Sequence, residues 1–258
     1  MPAVLAAAGL SACGSSTHDK VAHYIDQANA IQARSAADVQ RANAAYAQFS
    51  RGKLTGLPAA DALTQAEDGI RATRDQLAGL HPPPPAARLN RLLLRVYQDD
   101  AELASESAAL ARYLPAAAAA VRPLGAMGTT LRRRLRAAAG PTAQAAALAS
   151  YAHGIAAVEK SARDLQPPPV LVSSYRAQLA RLLSARSLAR RLRTALRQGN
   201  ARAVATLLVE FRSLNARAGA RPSLNRASLL AYTQRYEAIA RAVQDMQRER
   251  ARLQASLS

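Results

Sequence analysis

Tryptophan is absent from this 258-residue chain, phenylalanine occurs twice and cysteine once. A single cysteine excludes an internal disulfide and any cysteine-built metal site. Half of the residues are hydrophobic, but alanine supplies much of that share. With so few large aromatics, the core must come from long helices that approach closely. No stretch after residue 13 is apolar for the ~20 residues that a transmembrane helix requires. Lysine is confined to Lys20, Lys53 and Lys160, and no acid occurs between Asp164 and Glu210.

The basic excess is therefore an arginine excess, and it is local. The formal net charge is +18, yet residues 1–106 carry 10 basic and 11 acidic groups. Residues 107–209 carry 16 basic groups against Glu159 and Asp164. A field of one sign attracts phosphate-rich or otherwise anionic partners. GC-rich coding also favours Arg and Ala over Lys, so charge alone does not establish a function.

Apolar residues at three- and four-residue spacing, punctuated by proline and glycine, predict an all-α protein. The expected architecture is an elongated antiparallel helical bundle. Val21, Tyr24, Ala28, Ile31, Ala42 and Phe49 mark the buried face of a first helix, which starts near Asp19 and stops at Arg51-Gly52. A second helix over 59–80 is ended by His81 and prolines 82–85, since proline cannot continue a helix. A third runs over 88–113 and should end at Pro115. Pro123, Gly125 and Gly128 then suggest a short helix, a turn and another short helix within 116–140. Helices over 141–165, 170–197 and 201–218 follow, with a turn at Gly199-Asn200. Pro222-Ser223 introduces the last helix, which reaches about residue 253.

Two patterns refine this picture. Gly69-Ile70, Leu80 and Pro82–Pro84 recur 85 residues later as Gly154-Ile155, Leu165 and Pro167–Pro169, as a duplicated α-hairpin would. In the last helix Leu229, Tyr232, Tyr236, Ile239, Val243, Met246, Arg250 and Leu253 form a coiled-coil-like seam. Arg250 interrupts its apolar row. The expected partner is the first helix of the same chain.

Catalytic constellations are missing. No two of His18, His23, His81 and His153 have the spacing of a helical metal pair, and no cofactor is implied. His81, in a proline turn, reads as a solvent or capping residue. Asp99, Asp100, Glu102 and Glu106 lie together on the third helix without the Glu-x-x-His motifs of a carboxylate-bridged centre. A solvated acidic face, pairing with the Arg-rich middle, is expected there. No phosphate loop or nucleophile motif occurs, and the chain is read as a non-enzyme with neither catalytic nor metal-ligating residues.

The Arg-rich middle is the candidate interaction site. Arg186, Arg190, Arg193 and Arg197 recur at four, three and four residues, along one helix face, and Arg176 precedes them. Leu179, Leu182, Leu183, Leu188, Leu192 and Leu196 would dock that helix in the bundle. Arg132, Arg133 and Arg134 form a second basic cluster. Such guanidinium groups suit phosphates or an anionic membrane, where each basic residue contributes about 1 kcal/mol.

The one cysteine closes an apolar start, in the order Leu10-Ser11-Ala12-Cys13, and Gly14-Ser15-Ser16 follows it. This segment resembles the lipobox of bacterial lipoproteins, and the whole resembles the helical lipoproteins of GC-rich Gram-positive bacteria. The resemblance implies that residues 1–12 are a signal peptide cut before Cys13, and that Cys13 carries a diacylglycerol. No Lys or Arg precedes Lys20, so that signal would be incomplete. Residues 13–18 would be the lipid attachment and tether, and 19–258 the helical domain. The implied location is the extracytoplasmic face of the cell membrane. The expected function is non-catalytic binding or scaffolding, with the Arg face directed at anionic lipid headgroups or an envelope polymer. The alternative is a cytoplasmic basic helical protein that binds nucleic acid; export argues against it, and no recognised nucleic-acid-reading module is present. The oligomeric state is left open.

Overall fold

In a computed structural model the described residues are 16–51, 56–218 and 226–257. Residues 1–12, Cys13, Gly52 and Pro222-Ser223 lie outside them, as do the side chains of Leu229 and Tyr232. Within them the protein is an all-α helical bundle with no strand. Its helices are α1 (Thr17–Ser50), α2 (Gly56–Ala78), α3 (Ala87–Val121), α4 (Pro123–Ala137), α5 (Pro141–Arg163), α6 (Val172–Arg197), α7 (Ala201–Ala218) and α8 (Arg226–Ala255).

Local chemistry sets several helix ends. The Asp19 N–H donates to Ser16 Oγ at 3.1 Å, and the Ser16 N–H donates back to Asp19 Oδ2 at 3.0 Å. This reciprocal capping box satisfies donors that a helix start leaves free. The Ser16 hydroxyl, which donates to Asp19 Oδ2 at 2.8 Å, and then the Ser16 N–H hold the Asp19 carboxyl below its usual pKa. At the end of α6, Gly199 adopts φ +66°, a left-handed conformation that favours glycine. Its N–H reaches Leu196 O at 3.2 Å, and the next N–H, of Asn200, reaches Ala195 O at 3.0 Å. Asn200 then starts α7 by accepting the Ala203 N–H on Oδ1 at 3.0 Å.

Pro115 does not end α3. The helix passes through it to Val121, and α4 is one helix rather than two short ones. Five alanines follow Pro115, and alanine has the highest helix propensity. Ala111 and Ala117 on either side are buried, so packing holds both flanks of the interruption. Gly125 and Gly128 stay helical, with open space where a Cβ would project. Only Arg122 separates α3 from α4.

The helices contribute to two compact units. One takes in α1 up to Arg41, α2 from Ala66, α3 up to Glu102 and α8 from Glu237. Ile25, Ile31, Ile70, Leu77, Leu89, Leu93, Met246 and Leu253 are buried there. Tyr24 on α1 donates its hydroxyl to Asn90 Oδ1 on α3 at 3.0 Å. Burial pushes the Tyr24 pKa up to about 12. Arg250, the break in the α8 seam, donates to Gln32 on α1, and His18 Nε2 lies 2.6 Å from Leu257 O. These contacts place α8 against α1, as its seam predicts. Glu249 on the same helix is buried and held by Arg252 and by Arg88 of α3.

The other unit takes in the remainder of these helices together with α4–α7. Ala45 packs with Leu63 and Ala108, and Phe49 with Ala59, Ala60 and Ala111. On α1, Ala45 is buried rather than the expected Ala42. Tyr46 and Tyr236 bring their ring centroids to 5.1 Å, a further contact of α1 with α8. The larger core joins Leu131 of α4 with Leu148, Tyr151 and Ile155 of α5, Leu182, Leu188 and Leu192 of α6, and Leu207 and Phe211 of α7.

The 85-residue repeat is structural. α2 and α5 each span 23 residues at that offset, and the 3-10 turns Pro84–Ala86 and Pro169–Leu171 keep it. Leu80 N–H to Leu77 O and Leu165 N–H to Ala162 O are both 3.2 Å. Ala86 N–H to Pro83 O and Leu171 N–H to Pro168 O are both 2.8 Å. Leu63 and Leu148, Ile70 and Ile155, and Leu77 and Ala162 are buried at equivalent positions. A periodic apolar face ended by the same proline brake therefore builds the same turn twice.

Candidate anion-binding surface

Two arginine-bearing helices, α4 and α6, belong to the second unit. On α4 the apolar stripe Leu124, Met127, Leu131 and Leu135 packs against the core shared with α5–α7. At about 100° per residue, Thr129, Arg132, Arg133 and Arg136 fall on the opposite side. They line an open groove of about 430 Å³. Arg132 is held in place: its Nη2 donates to Thr129 Oγ1 at 3.3 Å and its Nε to Gly128 O at 3.4 Å. Arg133 and Arg136 are exposed and have no acidic partner among the described residues. Arg134 is exposed too, but it projects beside the apolar stripe rather than into the groove. Arg134 and Arg136 also complement the carbonyl end of α4.

On α6 the buried row is Leu182, Ala185, Leu188, Ala189, Leu192 and Ala195. Leu183 lies on the outward side and is exposed, so it does not dock the helix as expected. Arg176, Arg190 and Arg197 are exposed and Arg193 is half-buried; none has an acidic partner among the described residues.

Arg186 departs from the expected outward row. Its Nη1 lies 2.8 Å from Glu159 Oε2 on α5, off the axis of a hydrogen bond. Arg163 Nη2 meets the other carboxylate oxygen at 2.5 Å. The Glu159 side chain is 4% exposed. A carboxylate that deep must be paired, and Arg186 is committed to it. This removes Arg186 from the candidate anion-binding residues. Arg191 is drawn away as well, with Nη1 3.7 Å from Glu210 Oε2 on α7.

Among the described residues the acids of α3 make no ion pair with the Arg-rich middle. Asp99 meets Arg95 one turn earlier at 3.7 Å, Glu102 accepts from Gln98 at 2.7 Å, and Glu106 pairs with Arg235 of α8. Nor are they a solvated face, since Asp99, Asp100 and Glu106 are half-buried. Asp100 has no hydrogen-bond or ion-pair partner among the described residues. Burial, aided by the charge of Asp99, pushes its pKa up to about 6. The expected solvated face included Asp100, though its place among Val96, Tyr97 and Ala104 on one helix face was a usable signal of burial.

Among the described residues no three His, Cys, Asp or Glu side chains gather as metal ligands, and no helix is long and apolar enough to cross a membrane. His81 and His153 are exposed. Comparison of the chain with family models, with curated proteins and with solved structures finds no match.

Proposed function

We propose that the protein is an exported, lipid-anchored helical module at the outer face of a bacterial cytoplasmic membrane, binding or scaffolding without catalysis. The observation that carries this reading is the lone Cys13 after Leu10-Ser11-Ala12, together with the start of α1 at Thr17. Four residues of chain reach at most about 14 Å, so a lipid on Cys13 would hold the capped start of α1 close to the bilayer. A diacylglycerol has two chains and anchors firmly by itself. The exposed arginines of α4 and α6 are then free to engage an anionic partner.

The test is fractionation of host cells expressing the wild-type chain and Cys13→Ala, with intact mass of the membrane-bound form. The expected outcome is a chain beginning at Cys13 with a diacylglycerol added, and release of the variant to the soluble fraction. A variant retained in membranes at low and high salt would overturn the reading. So would an unmodified chain keeping Met1, which would make nucleic acid the first partner to examine.

A further inference from the structure

We infer that the groove on α4 formed by Thr129, Arg132, Arg133 and Arg136 is a binding notch for a phosphate group. The sequence supplies the first ground: no acid lies between Glu106 and Glu159, so no carboxylate on α4 or its flanking segments competes for these cations. The second is register. Positions 129, 132, 133 and 136 are spaced i, i+3, i+4 and i+7, so their side chains lie along one helix face. The Leu124, Met127, Leu131 and Leu135 stripe docks the opposite face in the core, which fixes the direction in which the cations project.

The third ground is what the groups are doing. Arg132 is braced by Thr129 and the Gly128 carbonyl, and its remaining donors stay available. Arg133 and Arg136 are engaged by no acid among the described residues. Arg186 and Arg163, by contrast, are consumed by buried Glu159. Three guanidinium groups around about 430 Å³ offer the planar, forked donors that phosphate oxygens accept in pairs. Just before Thr129 on the same helix, Gly125 and Gly128 have open space where a Cβ would project, so they do not crowd the approach to the arginines.

A phosphodiester of a lipid headgroup and a free phosphate share this chemistry. Choosing the headgroup as its natural source rests on the membrane address proposed above; the notch itself does not. The full chain carrying Cys13→Ser is the protein to test, because anchoring then cannot contribute. Its binding is measured to vesicles of phosphatidylglycerol mixed with phosphatidylcholine, to vesicles of phosphatidylcholine alone, and to inorganic pyrophosphate. Arg133→Ala/Arg136→Ala is expected to weaken binding to the anionic vesicles by about tenfold or more and to flatten its salt dependence. Arg34→Ala/Arg91→Ala, which removes the same charge from exposed arginines of α1 and α3 outside both basic helices, is expected to stay within about twofold of the parent. Pyrophosphate that competes with vesicles shows that the notch takes a free phosphate, whereas vesicle binding lost in the α4 variant without such competition shows that it takes the headgroup. Equal losses in both double variants would reveal diffuse charge attraction and overturn the notch, as would an α4 variant that binds like the parent. Cell fractionation reads the anchor separately, so failure of one does not mimic failure of the other.

Discussion

Arg186 on α6 lies 2.8 Å from Glu159 on α5, a carboxylate only 4% exposed. The contact ties the two helices of the second hairpin together at a point where a periodic reading makes Arg186 part of an outward basic row. Removing one member of a buried pair leaves the other charged in a poor solvent, which costs roughly 3–5 kcal/mol when nothing else compensates. Here Arg163 remains on the carboxylate, so Arg186→Ala should cost about 1–3 kcal/mol. Replacing both partners with apolar groups, as Glu159→Leu/Arg186→Met, should recover most of that loss. Urea unfolding of the single and double variants measures both. A single variant as stable as the parent would mean that Arg163 alone satisfies Glu159.

The duplicated hairpins permit a paired experiment. A Cβ on Gly69 would sit 2.6 Å from Asp38 Cγ and 2.9 Å from its Cβ, while one on Gly154 would meet Met127 at its mobile end, 2.6 Å from Cε. Asp38 is short and its Cβ moves only with the α1 backbone; a methionine tip can swing aside. Alanine gains about 1 kcal/mol of helix propensity over glycine at either site. Gly154→Ala should therefore be close to neutral, and Gly69→Ala should destabilise by about 1–2 kcal/mol net of that gain. Thermal unfolding of the two variants separates them, and equal effects would show that α1 yields as readily as a methionine tip.

The prolines at 82–85 and 167–169 and the turn at Gly199-Asn200 were legible because their constraints are local: a missing N–H, a ring clash, a left-handed φ. The same local rule failed at Pro115. There the alanine flank and the burial of Ala111 and Ala117 outweigh one lost hydrogen bond, and that balance is set by helices far away in sequence. The basic row of α6 could be read from spacing, yet spacing cannot say which arginine meets a buried acid on another helix. The four-residue interval between Glu159 and Arg163 was the available hint. On α4 the run from Arg132 to Arg136 hid a division that helical geometry makes, with Arg134 turned off the face that holds its neighbours. Gly125 and Gly128 read locally as a turn, which separates Thr129 from the arginines that share its face.

Asp100 provides a pH dependence with a defined sign. Its carboxyl lies on the buried face of α3, between Val96 and Ala104, and burial raises its pKa from 3.8 to about 6. A carboxyl with a higher pKa folded than unfolded binds its proton more tightly in the folded state. Its contribution is fully present below the unfolded pKa and is lost as pH rises through about 6. Stability should therefore increase as pH falls from 7 toward 5. Asp19 and Glu249 act in the opposite sense, because their hydrogen bonds to Ser16 and Arg252 hold their pKa values below the usual range. Their stabilisation is present above the unfolded carboxyl pKa and is lost as pH falls through their lower folded values, so the gain should reverse below about pH 4. Asp100→Asn keeps the shape and removes the charge. At pH 7 it should be more stable than the parent by roughly 1–3 kcal/mol, a gain that shrinks toward zero near pH 4. Urea midpoints of parent and variant between pH 4 and 8 supply the comparison. Parallel curves would mean that Asp100 is already ionised and solvated in the fold, and that its place on the buried face of α3 costs the protein nothing.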